Sequence, residues 1–274
     1  MDLRPSPIAG RWYPGQASQL TEAVDDFINT AHLALPAGEA LGLIAPHAGH
    51  TYSGGVAGHA FKAVQGARFE VVAVLCPSHF HDDGPLLTSG HAAYHTPLGD
   101  VPVARETMAQ LRAALTPIPL IEIRHDHEHA IEIELPFLQR ALAGDFKLLP
   151  VMMRDQSAPI ARALGQALAE VLAGQSTLIV GSSDLAHFLS QTETNRLDAE
   201  MLKQVEAFDP EGVLRTQESG RGFACGPGAI AATLWATRAL GATRAHVVKH
   251  ATSGDVSGDY TSVVGYGAVM IWKE

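Results

Sequence analysis

The chain has 274 residues, with 19 Lys+Arg against 29 Asp+Glu and a formal charge of −10. It carries no basic block of the kind that neutralises phosphates, so nucleic acid is not expected as a partner. A hydrophobic share of 46% against 18% charged excludes disorder, and two Cys exclude a disulfide scaffold. No apolar stretch reaches the roughly 18 residues of a spanning helix, so no membrane association is expected. The opening MDLRPSPIAGRWYP lacks a basic-then-apolar leader pattern, and a cytoplasmic location is the expectation. Roughly three quarters of the unfolded surface can be buried at this length, so residues 1–274 are read as one domain.

The predicted elements alternate along the chain. A helix with Leu20, Val24, Phe27 and Ile28 on one face covers 18–34. A buried strand over 41–45 and a small-residue helix over 53–64 follow. The strand at 71–75 leads into 82–100, where Gly, Pro and His mark a loop or hairpin. Helices are expected at 103–115 and 129–143. Pro136 conflicts with a helix interior and suits the first turn of a helix starting near Glu134. Strands at 146–153, 176–180, 245–248 and 262–272 alternate with helices at 159–172, 192–208 and 227–240. Short runs rich in Leu and β-branched residues, separated by helices, predict a three-layer α/β sandwich with a largely parallel central sheet.

Histidine is the commonest metal ligand and the usual acid–base group near neutral pH. Fourteen of them in a chain this poor in Lys direct attention to where they fall. Ligands of open α/β sheets bind at the carboxyl ends of strands. Pro46-His47-Ala48-Gly49-His50 follows the 41–45 run, and Cys76-Pro77-Ser78-His79 follows 71–75. Gly181-Ser182-Ser183-Asp184-Leu185-Ala186-His187 follows 176–180, and Lys249-His250 follows 245–248. If these strands are parallel neighbours, the groups converge on one edge. A lone His after a strand is usually a surface or capping residue, so the shared pattern, not any one member, carries the reading. His47 and His79 form the best pair, while His81, His91 and His95 read as solvated. In the acidic–His stretch 124–132, His125 and His127 read as loop side chains. His129 and Glu132 lie three apart and would share a helical face, as a metal site or simply as a helix start.

Cys225 lies in Gly222-Phe223-Ala224-Cys225-Gly226-Pro227-Gly228, a glycine-rich turn before a helix. A helix amino end favours thiolate, the form that binds metal; the alternative is a small buried hydrophobe, the reading given to Cys76. Ser183, Asp184 and His187 raise the possibility of a hydrolase, but there is no G-x-S-x-G elbow. Metalloprotease, Walker and dinucleotide motifs are also missing.

Taken together these motifs resemble one family. Arg4-Pro5 with Ile8-Ala9-Gly10 and Trp12-Tyr13-Pro14 resembles the amino-terminal signature of the Memo family, labelled AmmeMemoRadiSam system protein B in bacteria and archaea. The stretches at 45–54, 77–79, 128–137, 182–187, 225–226 and 252–266 are similar to its later motifs, in order. The resemblance implies a fold like the class III extradiol dioxygenases, which hold non-haem Fe(II) with two His and a carboxylate. It implies His47, His79 and Cys225 as metal ligands, with Asp184 beside them as an alternative third ligand. It further implies His187 as acid–base residue, with Asp184, and Trp12, Tyr52 and His129 as substrate-binding residues. His50 stands where Tyr is common in the family, and Cys76 where Gly is common. Imidazoles alone suit Fe, Cu or Zn; Fe(II) is the expected ion and Cu the alternative. A dioxygenase-type oxidoreductase acting on a small molecule, aromatic ones among the candidates, is therefore weighed against a non-catalytic metal- or peptide-binding module. The family label also implies a functional link to a radical-SAM enzyme and an AMMECR-type protein, and a homodimer is the expected assembly.

Overall fold

A computed structural model describes residues 2–33, 38–80 and 83–274. The elements run β1 Leu3–Arg4, α1 Ala17–Thr30, β2 Glu39–Ala45, α2 His50–Lys62, β3 Val71–Pro77, β4 Leu86–Ser89, β5 Ala93–Thr96 and β6 Gly99–Pro102. They continue with α3 Arg105–Ala114, β7 Leu120–Ile123, a 3-10 turn at Glu132–Glu134, α4 Leu135–Ala141, β8 Lys147–Met153, α5 Ala158–Leu172 and β9 Thr177–Ser182. The remainder is β10 His187–Leu189, α6 Gln191–Glu206, α7 Pro210–Glu218, α8 Pro227–Ala239, β11 Arg244–Thr252, α9 Gly254–Ser257 and β12 Val263–Lys273.

The main sheet runs β10-β12-β2-β9-β3-β8-β4-β7, with β11 on the other edge of β12. Its centre, β2-β9-β3-β8, is parallel. The flanks are not wholly so. β12 is antiparallel to β2, β10 and β11, and β4 is antiparallel to β8. The sheet is therefore mixed, and the expectation of a largely parallel one holds for these four central strands and for the outer pair β4-β7. All seven residues of β3, VVAVLCP, are buried, as in a strand covered on both faces. In β12, Tyr266, Ala268, Met270 and Trp272 join one apolar cluster and Val269 and Ile271 the other. This period-two alternation separates the layers. Helices α1, α2 and α4 pack together on one face; α5, α6, α7 and α8 cover the other. A Cβ on Gly58 of α2 would stand 2.3 Å from the Phe27 carbonyl, so the glycine lets α1 lie against α2.

The 129–143 helix resolves as the Pro136 conflict suggests. A 3-10 turn comes first, α4 starts at Leu135, and Pro136 sits in its first turn. The 82–100 stretch holds β4 and β5, and β5 forms a hairpin with β6; its first residue, Asp82, lies outside the described residues. Helix α7 was not anticipated. Its signals are Asp209, whose carboxylate caps the Gly212 N–H at 2.9 Å, and Pro210 at the first helical position. No helix among the described residues is long and apolar enough to cross a membrane.

Candidate metal centre

Three neighbouring parallel strands deliver the site. His47 follows β2, His79 follows β3 and Asp184 follows β9, so the groups meet at one carboxyl edge. His129 arrives from the segment ahead of the 3-10 turn. His47, His79 and His129 each offer one ring nitrogen, and these nitrogens all lie within 4.8 Å of one another. The His79 and His129 rings stack at 4.7 Å, and His47 stands edge-on to both. They open onto a cavity of about 460 Å³ lined also by Arg11, Trp12, Tyr52, Asp184, His187 and Phe188.

The groups behind the rings set their orientation. Nδ1 of His79 lies 2.8 Å from Oε1 of Glu128, whose other oxygen accepts the His79 backbone N–H at 2.7 Å. Oε1 also accepts the backbone N–H groups of His129 and Ala130 at 3.0 and 3.1 Å. Burial alone would raise the Glu128 carboxyl, but the hydrogen bond and charge of His79 outweigh it and hold it at about 2. In return, burial depresses His79, and Glu128 outweighs that, leaving the imidazole above its usual value. Nδ1 of His47 lies 3.0 Å from Ser182 Oγ, and its backbone N–H donates to Asp184 Oδ1 at 2.8 Å.

Burial, then the charge of the neighbouring imidazole, pulls His47 and His129 each down to about 3. Both rings are neutral near pH 7 and keep a lone pair for a ligand. With Nδ1 of His47 and His79 engaged from behind, Nε2 is the nitrogen of each ring left for a ligand, that of His47 lying beside Cys225 Sγ. A carboxylate behind a ligating imidazole is the usual outer-shell support of a metal site. Nitrogen donors of this kind suit Zn, Cu, Fe or Ni, so the residues fit a transition-metal ion.

Comparison with known proteins shows the family of the chain. The family model described as Memo-like protein matches residues 4–270. The chain belongs to the Memo family. It is similar to a MEMO1 family protein of Nitrosopumilus maritimus, 34% identical with 97% of this chain and 98% of the relative covered. One from Methanosarcina mazei is 33% identical over 99% and 100% of the two chains. One from Methanopyrus kandleri is 32% identical over 97% and 98%. Among solved structures, an uncharacterized protein from Escherichia coli K12 aligns at a TM-score of 0.48 and 12% identity, covering 84% of this chain and 99% of that one.

In this Memo chain, the cavity gathers Trp12, Tyr52, Asp184 and His187 with the three imidazoles. The Trp12 ring lies 4.3 Å from His129, and Tyr52 is exposed at the mouth. Nδ1 of His187 is buried and meets no hydrogen-bond partner. Asp184 is buried and its carboxyl is raised for that reason, against the opposing charge of His187 and the backbone N–H groups of His47 and Ala48. Cys225 stands to one side. Its Sγ lies 3.1 Å from Nε2 of His47 and accepts the Asp184 backbone N–H at 3.2 Å. Burial and the charge of Asp184 push this thiol well up, against the pull toward thiolate expected of the helix amino end. His129, assigned to substrate by motif, groups with His47 and His79. Glu132 parts from it and turns to Arg4, Ser6 and Tyr13.

His250 does not reach the edge. It lies inside β11 and bonds Asp198 of α6 at 2.8 Å, because the strand runs on to Thr252. His95 is exposed and paired with Asp100, and His125 and His127 are exposed. His91 is only partly exposed; its ring bonds Asp2 and the Arg124 carbonyl. His81 lies outside the described residues. Sequence reasoning missed Glu128, Ser182 and the buried guanidinium of Arg4, which bonds Asp126, Glu132 and the Glu128 carbonyl. The alternation of acidic residues with His at 124–132 was the available signal. Its acidic members Asp126, Glu128 and Glu132 are buried, while His125 and His127 are not.

Proposed function

We propose that this Memo-family chain is a metal-dependent oxidoreductase of dioxygenase type that acts on a small molecule. The observation that carries the reading is the group of three imidazoles opening onto a cavity that also holds Asp184 and His187. Fe(II) is the favoured ion and Cu the alternative. When bound, either supplies the one-electron chemistry that lets O₂ react with a closed-shell molecule. His47, His79 and His129 hold the ion, and Glu128 fixes the ring of His79. His187 moves the substrate proton, since its side chain lines the cavity beside Asp184 and the three imidazoles. Trp12, Tyr52 and Phe188 supply apolar walls that orient a flat substrate. The kinship to class III extradiol dioxygenases belongs to the same reading and rests on the sequence motifs.

Elemental analysis of protein purified without oxygen tests the centre. Wild type should carry about one equivalent of Fe or Cu. His47→Ala, His79→Ala and His129→Ala should each lose it, and Glu128→Gln should weaken binding about 10- to 100-fold. O₂ uptake by loaded protein across a panel of small phenolic and other aromatic molecules tests the activity; no uptake with any of them would defeat it. A second reading, a non-catalytic metal- or peptide-binding module, draws on the neutral Cys225 thiol beside His47 Nε2. Gain of O₂ chemistry in Cys225→Glu favours it, and an active wild type removes it.

A further inference from the structure

Four buried polar atoms meet behind His47. Oγ of Ser182 lies 2.7 Å from the Ala130 carbonyl oxygen, 2.7 Å from Oε1 of Glu134 and 3.0 Å from Nδ1 of His47. A hydroxyl has one hydrogen to give and two lone pairs to accept with. A carbonyl can only accept, so the hydrogen of Ser182 goes to Ala130. The other two contacts need hydrogens brought by the partners, an Nδ1–H from His47 and an O–H from Glu134. An ionised Glu134 would take the serine hydrogen for itself and leave two oxygens, of Ala130 and Ser182, facing each other at 2.7 Å with no hydrogen between them.

The surroundings of Glu134 agree. The side chain is fully buried, and its second oxygen meets no partner. The charge that acts on it is that of Asp184, of the same sign, and burial drives its carboxyl well above the usual range. A buried carboxylate with an unpaired oxygen and no cation is strongly disfavoured, whereas an unpaired carbonyl oxygen of a neutral acid is tolerated.

We propose that Glu134 is held as a neutral acid which donates to Ser182, so that Ser182 accepts from His47 and locks the ring in its Nδ1–H tautomer. Glu134 is then a positioning residue. Its effect is to keep the lone pair of His47 on Nε2, the nitrogen beside Cys225 Sγ, with no tautomer exchange needed before a ligand binds. The use made of that lone pair rests on the metal-binding reading above; the tautomer does not.

Nitrogen NMR of metal-free protein, correlating ring protons with both imidazole nitrogens, reads the tautomer directly, with His47→Gln assigning the signals. Carbon NMR reads the Glu134 carboxyl, with Glu134→Gln as its assignment. The expected result at pH 7 is a single Nδ1–H form of His47 and a protonated Glu134. Glu134→Gln, whose amide N–H replaces the acid's O–H, should keep that tautomer and hold metal affinity within about twofold. Ser182→Ala should give a tautomer mixture and about 10- to 100-fold weaker metal binding. An Nε2–H form in the wild type, or an ionised Glu134 carboxyl, overturns the proposal even if metal binds. If no metal binds but Nδ1–H is found, the metal-centre reading falls and this one stands.

Discussion

His50 shows how one buried side chain ties stability to pH. It opens α2, packs against Tyr13 and Phe137 with ring centroids 5.4 and 4.9 Å away, and leaves Nδ1 without a partner. Burial pulls it down to about 4 from 6.5. The unfolded chain takes up a proton below pH 6.5, and the folded chain does not until about 4. The stability tied to this group is therefore present above pH 6.5 and lost as pH falls through 4. Between pH 7 and 5 it amounts to about 2 kcal/mol. His50→Phe keeps the aromatic packing and removes the proton. Urea unfolding at the two pH values should find the wild-type drop larger than the variant's by about that amount; equal drops would count against a buried neutral imidazole here.

At the scale of elements, a two-residue strand does more than its length suggests. β1 pairs with β5 and carries Arg4 into the interior. There Nε bonds Asp126 at 2.5 Å, Nη1 bonds Glu132 at 2.6 Å, and the guanidinium lies 4.6 Å from the Tyr94 ring centre. The loop that places Glu128 and His129 thus hangs on this one cation. Arg4→Met should cost about 3–5 kcal/mol, because two buried carboxylates lose their partner. It should also weaken metal binding, which titration calorimetry on the folded fraction can read. The long elements were legible because periodicity is a local property: the predicted strands near β2, β3, β8, β9 and β12 lie within two residues of the observed ends. The strands β1, β4 and β7 were not. Two to four residues carry no period, and they form because a neighbour offers an edge. His47 and His79 could be read from strand ends, while Glu128, Ser182 and Glu134 come together only through tertiary contacts with no fixed spacing.

For the molecule as a whole, an ion that binds only the folded state adds stability by mass action, about 2.7 kcal/mol at a hundredfold excess over Kd. Adding Fe(II) or Zn(II) without oxygen should raise the Tm of wild type by several degrees and leave the double variant His47→Ala/His79→Ala unmoved. A shift in both would place the ion elsewhere. The mixed sheet also shows the limit of reasoning from composition. Strands 245–248 and 262–272 look like any other apolar runs, and nothing in their residues announces that β12 runs against β2. That direction is set by the path of the chain through α9, a contact-level fact.

β12 lies between β2 and β11 and completes the backbone pairing of both. More than two hundred residues separate Ala45 from Val263. A ribosome adding roughly 5–20 residues per second needs on the order of ten seconds or more to cross that interval. Throughout it, β2 carries an unpaired edge whose residues from Gly42 to Ala45 are all apolar and destined for the core. Such an edge is a template for any other nascent chain. Translation of this protein therefore leaves that strand edge uncovered until β12 has emerged, and aggregation during cell-free synthesis should fall when a holdase chaperone is added.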